Sequence, residues 1–299
     1  MSTTTTTTTA TKSPGDRPRT APARPAPSAE GRIGLRANLR HIGALARRNA
    51  LQIKQDPESM FDAVLMPIIF ILLFVYVFGG ALGAGVMPGV APGADGRAAY
   101  LGYITPTLFV LTIVGAGQSV AISAAMDAAG GIMARFKTMA ISPGSVLSGQ
   151  VLGTVLQSLA ALVLVLGAAF AMGYRPDAGA LDWLALLGLF VLLGLALSWL
   201  CVAMGLNARS VETASNTPMI LLLLPFLGSG FVPVETMPTA VRWFAEYQPF
   251  TPIIETLRHL LLGTPMDSSS GWLSAAWCLA IAVVGYFWAQ SSYNKGTVA

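Results

Sequence analysis

Six uncharged apolar blocks constrain this chain more than any other feature. They lie at about 61–80, 100–126, 149–172, 183–206, 217–232 and 272–290. About 20 residues at 1.5 Å rise cross a bilayer core of roughly 30 Å, so helices of this length belong in a membrane. Taken inward from Val64, Leu101, Gly149, Leu184, Thr217 and Trp272, the blocks hold no Asp, Glu, Lys, Arg or His. The fifth is the shortest and carries Pro218 and Pro225, each of which removes a helical hydrogen bond. Composition agrees. The chain is 54% hydrophobic and 11% charged, where a soluble domain is about a quarter charged. The expected fold is all-α, a polytopic membrane protein with six transmembrane helices.

Basic residues set the expected orientation. With the N-terminus inside, the cytoplasmic side collects ten Lys and Arg before the first span, then Arg135, Lys137, Arg209 and Lys295. The outside receives Arg97, Arg175, Arg242 and Arg258. Fourteen against four is a positive-inside bias that places both termini in the cytoplasm. The net charge of +4 is then a matter of topology and lipid headgroups, not of nucleic acid.

The first 30 residues, with a threonine run from Thr3 to Thr9 and then Pro, Ala and Arg, cannot bury enough apolar area to order themselves. They are expected to be a disordered cytoplasmic tail and not a signal peptide, since no short apolar region with a cleavage site precedes the first block. Over 31–57, Leu35, Leu39, Ile42 and Leu45 recur at helical spacing beside Arg36, Arg40 and Arg47. That pattern suits an amphipathic helix on the inner membrane surface. A solvated basic linker is the alternative. The transmembrane domain proper is expected over 58–299.

What the blocks lack excludes several functions. Proton-coupled transporters keep ionisable residues at depth despite a cost of about 2.5–3.5 kcal/mol each, and none is present. Sodium coupling through backbone carbonyls at the Pro-broken fifth block stays open. No GxxxxGK[ST] sequence occurs to cradle a nucleotide. Cys201 and Cys278 lack metal-ligand spacing, as do His41 and His259, so no catalytic, metal or cofactor site is expected in this chain. Active transport would have to draw its energy from another polypeptide.

Two stretches between blocks carry more information. Over 127–148, DAAGGIMARFKTMAISPGSVLS, a short apolar stripe of Ile132, Met133, Phe136 and Met139 runs beside Arg135 and Lys137 until Pro143-Gly144 ends it. Such a helix lies on lipid or docks in a groove of a partner protein. Over 228–263, FVPVETMP is followed by a helix with Ile253, Ile254, Leu257, Leu260 and Leu261 on one face and Glu255, Arg258 and His259 off it. About ten residues, roughly 15 Å, is half a membrane thickness. Either two half-length elements fold back into the outer leaflet or the helix lies flat on the outer surface. In the first case Glu255 is expected to serve as the partner of Arg258.

These residues resemble a known family. LLFVYVFGGAL over 72–82, ARFKTMAISPGSVLSG, FVPVETMP and FAEYQPFTPIIETLRHLLLG over 244–263 are together similar to ABC-2 type permeases, above all the permease subunits of daunorubicin-resistance drug exporters. The resemblance implies six spans in a bacterial plasma membrane protein that works as a homodimer with two copies of a separate ATP-binding subunit. ATP and Mg would bind on that partner. It also implies that Asp127, Arg135, Phe136 and Lys137 belong to a helix contacting the ATPase. An external re-entrant hairpin would contain Phe231, Pro233, Glu235, Pro238, Glu255 and Arg258. Relatives usually carry an acidic residue at the Ala134 position, a Pro near Ala140 and a basic residue near Gln150, and this chain departs at all three. The expected function is export of a hydrophobic or amphiphilic small molecule, a drug or antibiotic. The alternatives are export of lipid or polysaccharide, or a passive channel or scaffold without an ATPase.

Overall fold

The computed structural model describes residues 57–80, 96–130, 143–263 and 268–295. The tail expected over 1–30 and nearly all of the interfacial helix over 31–57 lie outside the described residues. Regular structure among the described residues is entirely helical. The elements are α1 (Pro57–Leu73), α2 (Gly96–Ala129), α3 (Pro143–Ala171), α4 (Ala180–Asn207), α5 (Val211–Asn216), α6 (Met219–Leu223), α7 (Thr239–Tyr247), α8 (Phe250–Leu262) and α9 (Ser268–Lys295). Among the described residues, four segments are long and apolar enough to cross a membrane: Gly96–Ala129, Leu147–Ala171, Ala180–Asn207 and Ser270–Tyr293. They coincide with the second, third, fourth and sixth apolar blocks. The first block is a shorter apolar helix, Val64–Phe78. Its end, Phe74–Phe78, is wound as a π-helix.

Helix α2 sits at the centre. Its 34 residues reach about 51 Å at 1.5 Å rise, and its span is apolar and buried on nearly every side. A helix without a polar face can be packed on all sides by other helices or can face lipid. Here α1, α3, α4, α5 and α8 surround it, while α9 packs against α4. The α2–α4 crossing requires Gly205, because a Cβ there would collide with the carbonyl of Ala121. On the other side of α4, Gly285 of α9 lies where a Cβ would come within 2.7 Å of the Leu200 backbone nitrogen. Leu181, Leu184 and Leu187 of α4 and Val283, Val284 and Phe287 of α9 are exposed, as apolar side chains facing acyl chains would be. At the opposite end of this pair the Asn207 amide donates to Ser292 Oγ over 2.5 Å.

The fifth block is not one helix. Ser210 caps α5 by accepting from the Thr213 amide at 3.1 Å, and after α6 the chain runs through turns over 224–232. Pro218 and Pro225 account for the break, since neither can supply the backbone donor a continuing helix needs. A single 3₁₀ turn, Val234–Thr236, leads into α7 and then α8. Helix α8 is 13 residues long, about 20 Å, slightly longer than its sequence pattern suggests. It ends at Gly263, whose φ of 63° is left-handed and suits glycine.

Candidate functional site

Broken helices expose backbone carbonyls, and in an apolar protein each of them needs a donor. Over 229–231 the donors come from α2 and α8. Tyr103 Oη donates to Ser229 O at 2.8 Å, Thr107 Oγ1 to Gly230 O at 2.6 Å, and Tyr100 Oη more weakly to Phe231 O at 3.4 Å. Arg258 of α8 adds its own bonds, from Nη2 to Ser229 O at 2.7 Å and from Nε to Tyr103 O at 3.4 Å. The Arg258 guanidinium carbon lies 3.6 Å from the centroid of the Tyr103 ring. A cation over an aromatic face in a poorly solvated place contributes about 2 kcal/mol. Three elements that are distant in sequence therefore meet at one guanidinium.

Two glycines make this approach possible. A Cβ on Gly228 would strike the Gln248 amide, and one on Gly230 would meet Pro225 O at 2.5 Å and the Thr107 methyl at 2.7 Å. Gln248 Nε2 donates to Thr251 Oγ1 at 3.3 Å and Gln248 Oε1 is buried without a hydrogen-bond partner, while the Ser229 hydroxyl lies beside the Glu255 carboxyl.

The expected pairing of Glu255 with Arg258 is not made. Among the described residues the ion pair within 4 Å is Arg242–Glu246 on the exposed side of α7, at 2.7 Å. Arg258 turns inward, where the Ser229 and Tyr103 carbonyls accept from it and the Tyr103 ring covers its face. Glu255 is half-buried. Burial raises its carboxyl above the usual carboxylate range, opposed by the field of Arg258. Burial likewise lowers the Arg258 guanidinium, opposed by Tyr103 and Glu255.

The other hairpin residues separate by position. Phe231 is buried, its ring 4.3 Å from that of Phe226 and 4.7 Å from that of Phe74 at the π-helical turn. Pro233 is buried and its carbonyl accepts from Thr236, whereas Glu235 and Pro238 are exposed. Ile253, Ile254, Leu257 and Leu261 are fully buried, as the stripe requires, and His259 is half-buried.

At the other end of α2, Asp127 is partly buried and its Oδ2 accepts from Gln150 Nε2 at 2.6 Å. The Gln150 amide thus supplies a neutral donor to the Asp127 carboxylate. Arg135, Phe136 and Lys137 lie outside the described residues. Cys201 and Cys278 are free and buried, and among the described residues no group of three metal-binding side chains occurs.

Tyr103, Thr107, Ser229 and Gln248 were not singled out from sequence. The available signal was Gly228-Ser229-Gly230 directly after a Pro-broken apolar block, together with tyrosines and threonines clustered at the start of the second block.

Residues 40–262 match the sequence profile of the ABC-2 type transporter family. The chain is 30% identical over 253 residues to a daunorubicin resistance ABC transporter permease protein of Streptomyces coeruleorubidus, covering 84% of this chain and 80% of that protein. It is 23% identical over 182 residues to a probable doxorubicin resistance ABC transporter permease protein of Mycobacterium tuberculosis, covering 60% of this chain and 65% of that protein.

Proposed function

Because this chain belongs to the ABC-2 type transporter family, we propose that it is the membrane-spanning subunit of an exporter that moves a hydrophobic or amphiphilic small molecule out of the cell. The observation that carries this reading is the identity over most of both chains to a drug-resistance permease, joined to spans that hold no ionisable residue. ATP would be hydrolysed, with Mg, on a separate ATP-binding subunit. Two permease copies and two ATP-binding copies would make the working unit in a bacterial plasma membrane, with six crossings and both termini in the cytoplasm.

In this reading the Asp127 end of α2 and the segment holding Arg135, Phe136 and Lys137 receive the ATPase. The hairpin from Phe231 through Pro233, Glu235, Pro238, Glu255 and Arg258 closes the outer end, with α7 and α8 entering the outer leaflet from outside. The Arg258 cluster supports that placement, since a guanidinium facing acyl chains would have no carbonyl or ring to meet.

The test is export by the permease reconstituted with its ATP-binding partner. Daunorubicin and doxorubicin, the compounds the relatives are named for, are the first probes. ATP-dependent movement of either into the lumen of inside-out vesicles is expected. No nucleotide-dependent movement of either drug, with a stable partner complex that moves labelled lipid or polysaccharide instead, would reject the drug-export reading. No complex at all would favour a channel or scaffold.

A further inference from the structure

The contacts at Ser229 join three parts of the chain that would have to separate for anything to leave between them. Tyr103 belongs to the central helix α2, Ser229 to the turns that follow α6, and Arg258 to α8. Resting on the exporter reading, we propose that Tyr103 is a positioning residue for export. Its ring and hydroxyl hold Arg258 and the Ser229 carbonyl together as a latch, which keeps the outer end of the pathway shut until the guanidinium leaves the ring.

Both halves of the tyrosine are used. The ring face takes the guanidinium at 3.6 Å, and the hydroxyl shares the Ser229 carbonyl with Arg258 at 2.8 and 2.7 Å. Arg258 also returns to the carbonyl of Tyr103 itself, so the contact closes on α2 twice. The two bonds to Ser229 O are short, the return to Tyr103 O is longer, and none is a direct ion pair. A cation on a ring and a carbonyl can part and re-form without breaking a direct salt bridge, as a device that opens once per cycle needs. Pro106 lies three residues inward from Tyr103 and removes the donor for the Gly102 carbonyl. The outer turns of α2 are thereby the part of that helix best able to bend away.

Ser229 supplies its own reporter. The residue is 2% exposed and joins the latch through its backbone carbonyl, so Ser229→Cys leaves that carbonyl in place and puts a thiol behind it. In a Cys201→Ala, Cys278→Ala background, assembled with the ATP-binding subunit in membranes, this thiol should react slowly with an impermeant reagent added outside. Tyr103→Leu should speed the reaction roughly tenfold or more, the response to losing a contact of about 1.4 kcal/mol. Arg258→Met should do the same. Tyr103→Phe, which keeps the ring and loses the hydroxyl, should fall between, and Arg258→Lys should partly preserve slow labelling.

Phe109→Leu in the buried core of α2 is the control for general loosening. The latch is overturned if Tyr103→Leu leaves labelling unchanged in protein that assembles. It is also overturned if Phe109→Leu, at an equal fall in thermal midpoint, speeds labelling as much. Should Tyr103→Leu fail to reach the membrane, Tyr103→Phe and Arg258→Lys carry the same comparison. The two readings fail separately. If ATP alters labelling in no variant while Tyr103→Leu still accelerates it, the latch stands and the ATP-driven reading falls.

Discussion

Replacing Gln150 with Leu should separate ATP hydrolysis from export. Gln150 opens the apolar part of α3, and its Nε2 reaches Asp127 Oδ2 at 2.6 Å across the 23 residues that separate them. Leucine has nearly the same length and cannot donate. A hydrogen bond to a charged acceptor contributes about 1.5–3 kcal/mol. Since both residues are only partly buried, about 1–2 kcal/mol is the better figure, a factor of roughly 5–30 in the balance between joined and parted helix ends.

If those ends carry movement from the ATPase, Gln150→Leu permease should still bind its partner and should still be ordered in the bilayer. ATP turnover by the complex should continue while transport per ATP falls by at least about fivefold. Gln150→Lys restores a donor and places a positive charge opposite the Asp127 carboxylate, so it should recover most of the coupling. The assay is paired measurement of phosphate release and substrate accumulation in the same proteoliposomes. Equal transport per ATP for Gln150→Leu and unaltered protein would refute the reasoning. So would a loss that Gln150→Lys shares, because the donor would then not be what matters.

Three other outcomes follow from packing and exposure. Gly205→Val should lower the thermal midpoint in detergent by the equivalent of about 1–3 kcal/mol, because the obstacle is the Ala121 backbone and not a movable side chain; an unchanged midpoint would mean that α2 and α4 are not this close. Glu246→Ala removes the Arg242 ion pair, which is exposed on both sides, so the midpoint and transport should stay within error of the unaltered protein. Trp243 and Tyr247 of α7 are 65% and 67% exposed and have the amphipathic character of aromatic residues at a headgroup boundary; an environment-sensitive dye on Trp243→Cys should shift to the blue in lipid, and emission like that of the dye in water would place α7 clear of the membrane.

The spans were legible because nothing competes with hydrophobicity inside a bilayer. The second, third, fourth and sixth blocks each became one long helix. Where prolines interrupt, length and composition stop being sufficient. Pro218 and Pro225 announced a break in the fifth block, but which donors would meet its carbonyls depended on where α2 and α8 lie, and no local pattern records that. The Glu255–Arg258 expectation failed for a related reason. Spacing of three puts two side chains on one side of a helix, yet the choice of partner also includes groups from elsewhere in the fold. A tyrosine ring and a backbone carbonyl 155 and 29 residues away in sequence form a better site for a guanidinium than a carboxylate that burial already disfavours.

Both candidate sites stand on α2, and that shared helix is what lets one chain join them. Asp127 and Tyr103 are 24 residues apart, about 36 Å along a helix, which exceeds the roughly 30 Å of hydrocarbon. Side chains of α1, α3, α4 and α8 enclose the length between, so α2 cannot flex freely over most of it. A displacement applied at Asp127 must therefore move the helix as a body or be absorbed where its hydrogen-bond ladder is already incomplete. That place is Pro106, next to Tyr103 and not next to Asp127. Motion entering at the Asp127 end would thus reach Pro106 undiminished, and the part not taken up there would arrive at the outer turns, where the contact available to yield is the guanidinium on the ring.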